Sequence, residues 1–148
     1  MVRLSFVIAA LLPGLAACTQ AQGGIDPRGQ TFDGVAPDET ITLVGTEPFW
    51  NVRIAGGEAS YSNPDHPEGM RFAVSRFAGN GGLGFSGTLF DAPFIATLTP
   101  GQCSDGMSDQ RYPFVATIAL DGETLQGCGY TDSQPFTGGE GSSEGEMP

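Results

Sequence analysis

The chain has 148 residues and a net charge of −11, with six arginines, no lysine and seventeen acids. A surface this acidic argues against nucleic acid as a partner and against electrostatic attachment to anionic lipid, since both need clustered cations. The length suits one domain with a modest core.

Residues 1–17 read as an export signal peptide. Arg3 gives the positive start, and Leu4 to Leu12 is an apolar run broken by Pro13-Gly14. That run is too short to span a bilayer. The next residues, Leu15-Ala16-Ala17-Cys18, resemble the lipobox of bacterial lipoproteins. The resemblance implies that the Cys18 thiol carries diacylglycerol, that the chain is cut before Cys18, and that palmitate or a similar chain acylates the new amine. An ordinary signal peptide with a chance cysteine is the alternative. Several acyl chains, at about 0.8 kcal/mol per buried CH₂, make a stable membrane anchor where one is marginal. Thr19, rather than Asp, follows the cysteine. By analogy with enteric bacteria, this places the anchor in the outer membrane rather than the inner, with the domain facing the periplasm. Cutting before Cys18 leaves 131 residues, 148 less 17, and a charge of −12, because Arg3 departs and five arginines face seventeen acids. Such a surface serves solubility, or it meets a basic protein partner.

Residues 18–38 read as a lipidated tether rich in Gln, Gly, Asp and Pro, and 131–148 as a disordered acidic tail containing Gly-Ser-Ser-Glu-Gly-Glu. Between them, 39–130 form the expected β domain. Ile41 to Val44 is β-prone. Trp50, Val52 and Ile54 alternate against Asn51 and Arg53, and Met70, Phe72 and Val74 against Arg71, Ala73 and Ser75. Leu83, Phe85 and Leu89 share a face, as do Phe94, Ala96 and Leu98, and then Phe114, Ala116, Ile118 and Leu120. Turn signals separate these runs: Gly56-Gly57, Asn63-Pro64, Asn80-Gly81-Gly82, Asp91-Ala92-Pro93, Pro100-Gly101 and Asp121-Gly122. The pattern predicts an all-β fold, a small antiparallel barrel or sandwich of about seven to eight strands with disordered termini. Gly84 and Gly87 suggest bulges within a strand. Ser104 to Gln110 offers at most one short helical turn, capped by Ser104 or Asp105.

With Cys18 committed to lipid, Cys103 and Cys128 remain. In an oxidising compartment they most simply form one disulfide. A metal or redox pair is the alternative, but there is no CxxC spacing and no neighbouring His.

Two segments carry more than strand patterning. The first is Gly45-Thr46-Glu47-Pro48-Phe49-Trp50. The second is Cys103-Ser104-Asp105-Gly106-Met107-Ser108-Asp109, followed by Arg111-Tyr112-Pro113 and, later, Leu125-Gln126-Gly127-Cys128. Together they resemble a family of uncharacterised bacterial envelope lipoproteins with Gly-x-Glu-Pro-Phe-Trp and Cys-x-Asp-x-Met-Ser-Asp motifs. More loosely, the order of parts is similar to the META/heat-shock-lipoprotein type of small β domain. Size, export and disulfide are also similar to a membrane-bound lysozyme inhibitor, whose Ser-x-Ser-Gly-x-x-Tyr loop is missing from this sequence. The resemblance implies a role in envelope integrity or stress tolerance.

The residues have physical readings of their own. Gly45 and Pro48 set a turn. Trp50, the single tryptophan, is either the main core residue or one wall of a ligand groove. Glu47 stands in water at the barrel rim or pairs with Arg53 or Arg111, since burying it alone is costly. Asp105 and Asp109 either hold a calcium ion or satisfy backbone N–H groups of a tight loop. Met107 plugs the end of the core.

Catalytic groups are scarce. His66 is the sole histidine and lies in a loop sequence, and there is no phosphate-binding Gly-Lys-Ser/Thr and no lysine for a Schiff base. The sequence asks for no cofactor and no metal. The first expectation is a non-enzymatic binding or structural module. The second is an inhibitor of a basic envelope-targeting protein such as lysozyme, and the third an enzyme acting on glycans through paired carboxylates.

Overall fold

A computed structural model describes residues 31–139; the expected export signal, Cys18 and the acidic residues after Gly139 lie outside the described residues. Eight strands follow in order: β1 (Ile41–Thr46), β2 (Phe49–Ala55), β3 (Glu58–Asn63), β4 (His66–Ala78), β5 (Leu83–Leu89), β6 (Ala92–Cys103), β7 (Tyr112–Leu120) and β8 (Glu123–Thr131). Each pairs antiparallel with the next. β8 returns to β1, with Ile41 opposite Thr131 and Val44 opposite Cys128, so the sheet closes into a barrel. Closure is what leaves such a sheet without free edges. Of the two architectures the alternation allows, the barrel forms, and the described residues contain no helix.

The alternating positions point as the period of two requires. Trp50, Val52 and Ile54 fill the interior from β2, Leu83, Phe85 and Leu89 from β5, Phe94, Ala96 and Leu98 from β6, and Phe114, Ala116 and Ile118 from β7. Eight strands enclose a space that side chains can fill. β4 departs from the pattern: Val74 is buried, Phe72 is half-buried and Met70 is exposed. The register explains this. β4 pairs with β5 only from Val74 onward, so residues 66–73 have β3 alone as a neighbour.

Two-residue turns at Gly56-Gly57 and Asp121-Gly122 have positive φ at both positions, the conformation whose twist suits a hairpin. The expected turn at Asp91-Ala92-Pro93 is corrected by one residue. Phe90 (φ 54°) and Asp91 (φ 61°) form it, with Leu89 opposite Ala92, and Ala92 already points inward. Pro100-Gly101 is no turn either. Both lie in β6, where the register slips between Pro100 and Cys103. Gly84 and Gly87 mark no bulge, since their pairing with β4 and β6 is unbroken. Gly87 instead admits the Ala73 carbonyl, 2.5 Å from where a Cβ would stand.

The fold passes both of its expected boundaries. Val35, placed in the tether by sequence, is 2% exposed, and its carbonyl accepts from Arg76 Nη2 at 2.8 Å. The Phe32 N–H donates to the Gly79 carbonyl at 2.7 Å. This segment plugs one end of the barrel, leaving a small cavity of about 30 Å³ against Ile41, Ile54 and Phe85. Past Thr131 the chain does not trail off as expected. Arg111 and Thr137 exchange both backbone hydrogen bonds, at 2.8 and 2.9 Å, and Gln134 Nε2 donates to the Gly34 carbonyl at 2.7 Å. Residues 132–139 therefore form a strap over the plugged end. Gln, Pro and Gly mask its one apolar anchor, Phe136, in the sequence.

Candidate functional site

The two motifs meet in space. Cys103, the last residue of β6, is bonded to Cys128 of β8, with Cα atoms 5.6 Å apart. This bond draws the β6–β7 loop over the outer face of β8 and β1, where Thr46 Oγ1 donates to the Asp105 carbonyl at 3.1 Å. Asp105 Oδ1 accepts from the N–H groups of Met107 (3.0 Å) and Ser108 (2.9 Å), and its Oδ2 from the Ser108 hydroxyl (2.7 Å). These bonds, those of Ser108 first, hold the carboxyl below the usual carboxylate range. The loop turns on its own aspartate rather than forming a helical turn. Of the two readings of Asp105 and Asp109, the structure has the tight loop: Asp105 is spent on N–H groups while Asp109 is exposed. Among the described residues no group of His, Cys, Asp or Glu could hold a metal.

Beside the loop, Tyr112, Tyr130 and Phe136 stack, with ring centroids 5.2 to 6.2 Å apart. Tyr112 donates to Gln110 Oε1 at 2.6 Å, and burial, with the Asp105 charge second, pushes its phenol above its ordinary value. This satellite cluster was not legible, because its members come from β7, β8 and the strap.

Trp50 lies inside the barrel across two glycines. A Cβ on Gly127 would meet its Cζ2 at 2.7 Å, and one on Gly45 would overlap Nε1. Gly45 is thus a strand residue that makes room for the indole, not part of a turn. The Nε1–H is buried and meets no acceptor among the described residues. Glu47 takes the first of its two expected positions, exposed at the rim beside a cis Glu47–Pro48 bond. Arg53 is exposed on the outer face of β2, and Arg111 donates to Ser104 Oγ (3.2 Å) and the Gln110 carbonyl (3.1 Å). The ion pair among the described residues joins Arg71 and Glu58 instead, at 3.2 Å. Met107 does not plug the core. It is 66% exposed, because the turn on Asp105 and Gly106 (φ 72°) directs it outward.

Among the described residues no segment covers the other end of the barrel. Four turns meet there: Thr46 to Phe49, Asn63 to His66, Leu89 to Ala92 and Leu120 to Glu123. Phe49 is 57% exposed and Phe90 45%. An open, largely apolar groove of about 280 Å³ runs between Phe49, Trp50, Pro64 and Pro67. Phe90 stands on the same rim, its ring 4.9 Å from that of His66, the chain neighbour of the groove residue Pro67. No motif flagged this patch, but Phe49 was readable as the outward neighbour of Trp50. Compared with protein-family models, with curated proteins and with solved structures, the chain matches none.

Proposed function

We propose that this chain is a lipid-anchored protein of the bacterial cell envelope whose barrel is a non-enzymatic binding or structural module serving envelope integrity or stress tolerance. The observation that carries the reading is the filled barrel axis, where Leu43, Val52, Phe94, Ala96, Leu98 and Ile118 have no exposed surface. A barrel packed this way offers its outer face and rim to partners, not a chamber to a small ligand. Cys18, in the lipobox-like segment, supplies the anchor. Val35 of the expected 18–38 tether already packs in the barrel, and with Thr31 the first described residue at most twelve residues, 19–30, separate Cys18 from it. Twelve residues reach at most roughly 40 Å, which keeps the domain close to its membrane.

The test is a Cys18→Ala chain expressed beside the parent. The parent is expected in the membrane fraction, labelled by a palmitate analogue, and Cys18→Ala is expected to lose the label and the membrane association. A strain lacking the chain should gain sensitivity to detergent that the parent corrects and Cys18→Ala does not. Unchanged membrane recovery of Cys18→Ala would refute the anchor, and unchanged detergent tolerance in the deletion strain would refute the envelope role.

A further inference from the structure

The bare rim combines apolar relief with charge of one sign. The four turns and the residues just after them carry Glu47, Asp65, Glu68, Asp91, Asp121 and Glu123, all exposed, with no arginine among them. Of the described arginines, Arg71 is engaged with Glu58, Arg76 with the Val35 carbonyl and Arg111 with the loop it follows, while Arg53 stands exposed on the outer face of β2, outside these turns. Asp65 and Glu68 are chain neighbours of the groove residues Pro64 and Pro67, and Glu47 lies two residues before Phe49. Phe90 keeps a left-handed backbone conformation that a bulky aromatic rarely adopts, and still presents nearly half of its surface.

We propose that this rim is a docking surface for a cationic segment of another protein, one that lays an aliphatic or aromatic side chain in the groove between Phe49 and Pro64-Pro67 and sets lysine or arginine against Glu47, Asp65 and Glu68. Charge complementarity selects the occupant: an apolar groove ringed by carboxylates repels anionic lipid and acidic protein and attracts a basic one. A second copy of the chain would bring the same carboxylates against themselves. Orientation agrees. The N-terminal segment enters at the plugged end, so an anchored barrel turns the rim away from its membrane. The inference rests on the binding-module reading above and gives its partner a chemistry.

The experiment uses the chain from Thr19 to Pro148, which keeps every described residue and omits the lipid, so its outcome is independent of anchoring. Binding is followed by the fluorescence anisotropy of a dye-labelled peptide, since Trp50 borders the groove but is 4% exposed. A peptide of alternating lysine and leucine is titrated beside lysine–serine and glutamate–leucine controls. The lysine–leucine peptide is expected to bind at least tenfold tighter than either control and to weaken as salt rises. The triple variant Glu47→Gln/Asp65→Asn/Glu68→Gln and the single variants Phe49→Ser and Phe90→Asn should each lose about tenfold. Asparagine suits the backbone at position 90 better than phenylalanine, so loss there is not loss of fold. No binding, equal binding of the glutamate–leucine peptide, or undiminished binding by the triple variant overturns the proposal. So does a concentration-dependent dimer in sedimentation that Phe49→Ser abolishes, since the groove would then take a second copy.

Discussion

The Trp50 indole rests on Gly127: a methyl group at Gly127 would sit 2.7 Å from Cζ2 and 2.9 Å from Cη2. Gly127 lies on β8 and Trp50 on β2, with Gly45 of β1 between them, so one side chain spans three strands across the seam where the barrel closes.

That arrangement fixes a steric prediction. Gly127→Ala should destabilise by about 1–3 kcal/mol through overpacking. Trp50→Ala should cost about 3–5 kcal/mol, the range for a large core aromatic. The double variant should be less destabilised than the sum, because removing the indole relieves one of the two contacts the alanine methyl would make, the other being with the Val44 carbonyl. Denaturant midpoints of the four proteins decide it, and strict additivity would separate the two residues.

The Cys103–Cys128 bond closes a loop of 25 residues. In the chain-entropy description such a bond contributes about 3–4 kcal/mol. Cys103→Ala/Cys128→Ala should lose that amount in equilibrium unfolding. Hydrogen exchange should rise first in residues 104–110, whose hold on the outer face of β1 then depends on the single Thr46–Asp105 bond and the strap.

Two carboxyls tie stability to acid. Hydrogen bonds from Ser108 and Met107 hold Asp105 below its ordinary value, and the hydroxyls of Thr131 and Ser133 do the same for Glu39. A carboxyl lowered by folding contributes its stability above the unfolded value, about 3.9 for Asp and 4.3 for Glu, and loses it as pH falls through the folded one. The thermal midpoint should therefore drop below about pH 4. Asp105→Asn should be less stable than the parent at pH 7 and should flatten that drop; an unchanged acid limb would remove Asp105 from the account.

Phe136 anchors the strap through Tyr112 and Tyr130, at 5.5 and 5.2 Å. Phe136→Ala should cost about 1–2 kcal/mol, in line with two aromatic pairings and a half-buried ring. Amide exchange at Arg111 and Thr137 should speed up together, since each donates to the other's carbonyl.

Phe90→Asn should leave the thermal midpoint unchanged or raise it. The left-handed conformation is less costly for asparagine, which offsets the lost packing on His66 and Tyr61. A fall of several degrees would make Phe90 a packing residue first.

By itself, the sequence determined most of the strands, though not β3, most of their inward faces, the Asp121-Gly122 and Gly56-Gly57 turns, and the cysteine pair. These follow from a period of two, from local turn chemistry and from counting thiols, none of which needs a distant neighbour. Where β4 runs with one partner, the same period misassigned Met70, because burial depends on a strand that the pattern cannot see. Tertiary structure alone decided that the sheet closes, and that Gly45 and Gly127 are empty so that Trp50 can be full. It also drew Met107 outward on Asp105, made residues 31–38 a plug and 132–139 a strap, and gathered Phe49, Pro64, Pro67 and Phe90 at one rim. Each of those depends on contacts between residues far apart in the chain, and composition carries no record of which strands become neighbours.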